Sequence, residues 1–133
     1  MPSLVVVAID ANCLGFNQRK HLIETKCGQL PIPVAHAIPD PHVERWLLVD
    51  SAAFKAALGV GCTAPGHKCE RGRYKRLLQE AVQKADVNPL LGGIEYAADI
   101  VAKMDLMHTP QADPSLEKFL AAVRQQFRRW SAE

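Results

Sequence analysis

Residues 4–9 read Leu-Val-Val-Val-Ala-Ile, an unbroken apolar run that stops at Asp10. A short β-branched run without polar alternation predicts a strand covered on both faces. Asp10-Ala11-Asn12 then falls at its C-terminal end, where open α/β sheets gather ligands and catalytic groups because the following loop faces a crevice. From Gly15 to about Lys26 the pattern suits a helix, with Leu22 and Ile23 as its modest apolar contribution and Gly28 as its stop. Residues 33–38, entered through Pro31 and Pro33, read as a second strand, since proline is tolerated at a strand's start or edge. Strand, helix and strand in this order form one parallel βαβ unit with a right-handed crossover.

Helical spacing dominates the remainder. Asp40-Pro41 reads as an N-cap followed by proline at the first helical position, with Val43, Trp46 and Leu47 on one face. Asp50-Ser51 opens another helix that Gly59 closes, and residues 59–68 are a loop rich in glycine and proline. Tyr74, Leu77, Leu78, Ala81 and Val82 recur at helical spacing, and a further helix is expected from Ile94 onward, after a Gly92-Gly93 pair that permits close approach. Asp113-Pro114 repeats the cap-then-proline signal ahead of a stripe formed by Leu116, Phe119, Leu120, Val123, Phe127 and Trp130. The expected fold is α/β, a small parallel sheet built on one N-terminal βαβ unit and followed by several helices. Two parallel strands leave both edges open and their faces poorly covered. The sheet is therefore expected to be completed by a companion subunit, by a second copy in a homo-oligomer, or by a further strand such as residues 47–49.

Composition narrows the class without deciding it. With 133 residues, of which 48% are apolar, the chain is long enough for one domain with a real core. A net charge of +2 makes no global case for a nucleic-acid partner, so any such case rests on local clustering. No apolar run approaches the roughly 20 residues that span a bilayer, and the start lacks a signal-peptide pattern, so a cytoplasmic protein with no membrane partner is expected. In that compartment Cys13, Cys27, Cys62 and Cys69 are expected as reduced thiols. Cys62, His67 and Cys69 form a trio that would contribute to a zinc site, but no fourth ligand lies nearby, and a plain loop carrying two thiols outweighs it.

Three residues are singled out for chemistry: Asp10, Asn12 and Glu44. Adjacent parallel strands bring their C-terminal ends to one edge, so Asp10 and the helix that starts near Asp40 converge. Oxygen ligands of this kind suit a hard cation, magnesium or manganese, that keeps several waters, activates one and clamps a phosphodiester. The plainer reading makes Asp10 and Asn12 turn formers and Glu44 a favourable charge in a first helical turn. His42 is a metal ligand or proton shuttle on the first view and a solvated side chain on the second. Arg45 is assigned to developing negative charge on a phosphate. Lys68, Arg71, Arg73, Lys75 and Arg76, with Tyr74 among them, form the densest basic cluster. Contact with a phosphate backbone or simple solvation explains it, and basic charge at a helix start is mildly unfavourable, which leans towards function.

The stretches "VVVAIDANCLG" and "AIPDPHVERWLLVD" together resemble the second half of a TOPRIM-type domain, the catalytic fold of topoisomerases, primases and OLD-type nucleases. There a strand ends in Asp-x-Asp and a later helix opens with an acidic residue. Asp10 matches the first aspartate, Asn12 replaces the second, and Glu44 with Trp46, Leu47 and Leu48 matches the later element, over about residues 4 to 50. The resemblance implies a metal-dependent nuclease with Asp10, Asn12 and Glu44 around magnesium or manganese and Asp10, Glu44 and Arg45 in catalysis. It also implies an earlier strand and glutamate for which this sequence has no room before residue 4. A non-catalytic subunit or binding module that keeps the fold is the rival implication. The chain is similar as well to PIN-type ribonucleases, which open with a strand ending in Asp-x-Asn and would place Asp10, Glu44 and Asp99 around magnesium, but which carry further strands late in the chain.

Overall fold

The computed structural model describes residues 3–133 and is an α/β fold with one small parallel sheet. Strand β1 (Val5–Ala8) and strand β2 (Val34–Ala37) pair in parallel, with Val5 opposite Val34 and Ala8 opposite Ala37. Helix α1 (Phe16–Cys27) makes the crossover between them. A single turn, α2 (Val43–Trp46), follows β2, and then come α3 (Ser51–Leu58), α4 (Arg73–Lys84), α5 (Ala97–Lys103) and the long α6 (Pro114–Ala132). Among the described residues no third strand exists, and residues 47–49, offered as one, are turn and bend.

The expectation that β1 is covered on both faces is corrected. Residues paired in a parallel sheet share a face, so Val7 and His36 lie together, as do Val6 with Ala35 and Ala8 with Ala37. Val7 packs under α1 with Phe16 and the buried Ile23. On the other face α6 lies against β2, where the small Ala35 and Ala37 are buried. One helix over one strand leaves the rest of that face bare, where Val6 remains 47% exposed, and on the α1 side Ile9, just past the strand, remains 41% exposed.

Most apolar burial occurs away from the sheet. Leu47, Leu48, Phe54, Leu78, Val82 and Ile100 form one cluster, drawn from the segment after α2 and from α3, α4 and α5. Each such side chain, fully buried, contributes about 1.5–3 kcal/mol. The Gly92-Gly93 pair works as expected: a Cβ on Gly93 would lie 2.9 Å from Val82 Cγ2 and 3.2 Å from Leu78 Cγ, so only glycine lets this turn seat against α4.

Two caps match their sequence signals. Asp113 accepts from the N–H groups of Ser115 and Leu116 with Pro114 at the first helical position, and Asp50 accepts from the Ala53 N–H at 2.9 Å. Burial pushes the Asp50 carboxyl up, but hydrogen bonds from the Thr109 hydroxyl and from the Ala53, Asp105 and Ala52 N–H groups outweigh it and hold the carboxyl below its usual value. A depressed folded-state value means that its stabilisation is complete above the unfolded carboxylate range and is lost as pH falls through the folded value. Urea unfolding from pH 5 downward is therefore expected to show a steeper loss of stability for the parent than for Asp50→Asn, and equal slopes would contradict it.

Candidate functional site

The third cap signal is redistributed. Asp40 does not cap α2: the Asp40-Pro41 peptide is cis, the Asp40 carboxylate pairs with His67 at 3.2 Å, and the start of α2 is taken by Asp10 from across the sheet. Asp10 Oδ1 accepts from the Val43 N–H at 2.9 Å. The register that achieves this is carried past the strands by Ile9 N–H to Ala37 O, Ala11 N–H to Pro39 O and Asn12 N–H to Pro41 O. Ala11 points inward and is buried with Ile23 and Ile38, which turns its neighbours outward. Asn12 and Cys13 then adopt left-handed backbone, φ 49° and 69°, a conformation that asparagine tolerates better than most residues.

Asp10 and Asn12 form one wall of a depression of about 350 Å³ whose other lining residues are His42, Arg71, Gly72 and Lys75. Gly72 precedes α4 in left-handed backbone and supplies no capping side chain, and the Arg73 N–H at the start of the helix is taken by Glu70 O. Carboxylate and amide oxygens thus face guanidinium and ammonium groups. Lys75 also lines the adjoining cavity of about 310 Å³, together with Glu44, Leu78, Gln79, Leu91, Gly92 and Ile94. Glu44 is only 7% exposed, and its Oε2 is buried without a hydrogen-bond partner.

A disulfide joins the two walls. Cys13, next to Asn12, is bonded to Cys69, two residues before Arg71, with Cα atoms 5.6 Å apart. This corrects the expectation of four reduced thiols; Cys27 and Cys62 are free. It also removes the zinc trio, since Cys69 is bonded, His67 pairs with Asp40, and the half-buried Cys62 thiol donates to Leu48 O at 3.5 Å. Burial raises the Cys62 thiol above its ordinary value.

The basic cluster divides. Arg71 and Lys75 line the depression, while Lys68 and Arg76 are held by Glu70 at 3.3 and 2.9 Å. Arg73 is half-buried and lies over the Tyr74 ring at 5.7 Å. Arg45 is corrected outright: it is buried, and its Nη1 meets Asp113 Oδ2 at 2.5 Å, which leaves it no path to a phosphate. Asp99, the third acid of the PIN-type reading, is exposed on α5 and lines neither cavity.

Sequence reading missed Tyr74 and Asp113 as organisers. The Tyr74 hydroxyl donates to Gly66 O at 2.7 Å and accepts from the Lys68 N–H at 2.8 Å, and its ring lies 6.2 Å from that of His42. Asp113 Oδ1 also accepts from the Ser115 hydroxyl, whose oxygen accepts from Trp46 Nε1 and the Asp40 N–H. Tyr74 sat at a core spacing and Asp113 at a cap, so each carried a sufficient local explanation that concealed the long-range one.

Comparison with protein-family models, with curated proteins and with solved structures finds no match to this chain. Fold and site define it as a small α/β protein with an oxygen-bearing strand end set opposite two cations. Among the described residues no helix is long and apolar enough to cross a membrane.

Proposed function

We propose that the chain is a TOPRIM-like protein related to metal-dependent nucleases, which binds or cleaves nucleic-acid phosphodiesters at the depression between Asp10 and Lys75. One observation carries this reading: the strand-end oxygens of Asp10 and Asn12 share a single depression with Arg71, Lys75 and the uncapped start of α4. A phosphate there meets two cations beside a helix start, whose positive end favours anions.

The donor set bears on the metal. Among the described residues no three His, Cys, Asp or Glu side chains converge on a common point. A magnesium ion that keeps most of its waters needs only one or two carboxylates together with substrate phosphates, so this sparse set fits it better than a transition metal. Asp10 through its second oxygen and Asn12 through its amide oxygen would hold the ion, with Glu44 as the second acid one cavity away. The ion, when bound, supplies Lewis acidity and an activated water. Arg71 and Lys75 neutralise and orient the phosphate, and His42, which also lines the depression, carries a proton to or from a phosphate oxygen.

The test is cleavage and binding of single- and double-stranded DNA and RNA with magnesium or manganese, comparing the parent with Asp10→Asn and Glu44→Gln. Loss of activity by about a hundredfold is expected for Asp10→Asn, the order seen when one transition-state contact is removed. Equal rates in parent and variants remove the assignment. The rival reading is a non-catalytic module completed by another chain, favoured by the open edge of β1 and the exposed Val6 and Ile9. Binding by the parent with no cleavage under any metal would select it.

A further inference from the structure

The Cys13 to Cys69 disulfide joins the chain just after one wall of the depression to the chain just before the other. The acidic wall is residues 10–12 and the basic wall begins at Arg71, so the bond lies one residue from Asn12 and two from Arg71. Among the described residues no hydrogen bond or ion pair joins residues 10–14 to residues 66–76. The other ties near the basic segment, His67 to Asp40 and the His42 ring beside Tyr74, reach the turn at residues 40–42, which is bonded in turn to the Asp10 loop through Asn12 N–H to Pro41 O and Val43 N–H to Asp10, so apart from the disulfide the walls are joined only at one remove. Asn12 and Cys13 both hold left-handed backbone. Both bonded cysteines are exposed, open to a small thiol.

From this placement we infer that the disulfide is a redox-dependent positioning brace, which fixes the segment carrying Arg71 opposite Asp10 and Asn12 and releases it when it is reduced, while Lys75 stays fixed on α4. The consequence for affinity rests on the phosphodiester reading; the brace itself does not. The chemistry requires a dithiol reductant. One of its thiolates attacks a protein sulfur and breaks the S–S bond, and its second thiol resolves the mixed disulfide. Cys13 and Cys69 leave as two thiols, having gained two electrons and two protons, and the reductant leaves as a cyclic disulfide. Without the brace the loop at Asn12 and the segment from Cys69 to Gly72 are joined only at one remove, through the turn at residues 40–43, and phosphate binding must order Arg71 and its segment afresh.

Three measurements on the full chain test this. Thiol titration of denatured protein purified without reductant is expected to find only Cys27 and Cys62 free, with Cys13 and Cys69 recovered as one disulfide-linked peptide pair by mass spectrometry, and all four thiols free would overturn the proposal. Hydrogen exchange of residues 11–14 and 69–72 is expected to quicken when dithiothreitol is added, and unchanged exchange would overturn it whether or not any ligand binds. Affinity for a fluorescein-labelled single-stranded oligonucleotide is expected to fall roughly tenfold on reduction, the cost of re-ordering Arg71 and its segment. Cys13→Ser and Cys69→Ser are expected to bind as the reduced parent does and to ignore the reductant, while Cys27→Ser keeps the parent's response. Equal affinity in the two redox states of the parent overturns the positioning role. If neither state binds the oligonucleotide, the phosphodiester reading fails and the exchange result decides the brace.

Discussion

Replacing Asp113 by alanine is expected to destabilise the protein by about 3–5 kcal/mol, because it strands a buried guanidinium as well as removing a cap. Arg45 is buried, and Asp113, itself fully buried, is its ion-pair partner at 2.5 Å. The same carboxylate accepts from the Ser115 and Leu116 N–H groups, a cap whose loss alone costs about 1 kcal/mol. Ser115 in turn holds Trp46 and the Asp40 N–H, so the damage spreads from α6 to the turn that carries Asp40 and to α2. Urea unfolding measures it. A loss below about 1 kcal/mol would mean that the guanidinium finds another acceptor or reaches water, and the pair would then be a minor contributor.

Tyr74→Ala carries a comparable expected loss, about 3–5 kcal/mol, as for other large aromatic truncations in a core. The ring is fully buried and its hydroxyl bridges Gly66 and Lys68, which anchors the loop after α3 to the first turn of α4. Tyr74→Phe separates the two contributions. It keeps the ring and removes the hydrogen bonds to the exposed Gly66 carbonyl and Lys68 N–H, at about 0.5–1.5 kcal/mol. Equal stability of parent and Tyr74→Phe would show that water replaces the hydroxyl at no cost.

Local signals in the chain proved dependable where one segment settles its own conformation. The βαβ unit, the Asp50 cap with Gly59 as its stop, the Asp113-Pro114 start of α6 and the close approach at Gly93 all depend on residues a few positions apart. The errors share one cause, which is that a distant group outcompetes a near one. Asp40 is positioned to cap α2, yet Asp10, 33 residues earlier, takes the Val43 N–H. Arg45 reads as free cationic charge until Asp113, 68 residues later, claims it. Cys13 and Cys69 are 56 residues apart, and nothing in their spacing names them as a pair. For the candidate site, Asp10 and Asn12 stood out as polar residues at a strand end, whereas the selection of Arg71 and Lys75 from five basic residues depends on how α4 is oriented, which no local pattern encodes.

The covalent link at Cys13 and Cys69 also fixes what the molecule is as a connected object. It closes α1, β2, α2 and α3 into a ring from which β1 hangs as one tail and α4 to α6 as the other. A peptide bond cut inside the ring, for instance in the glycine-rich stretch after α3, leaves one molecule. A cut in either tail makes two.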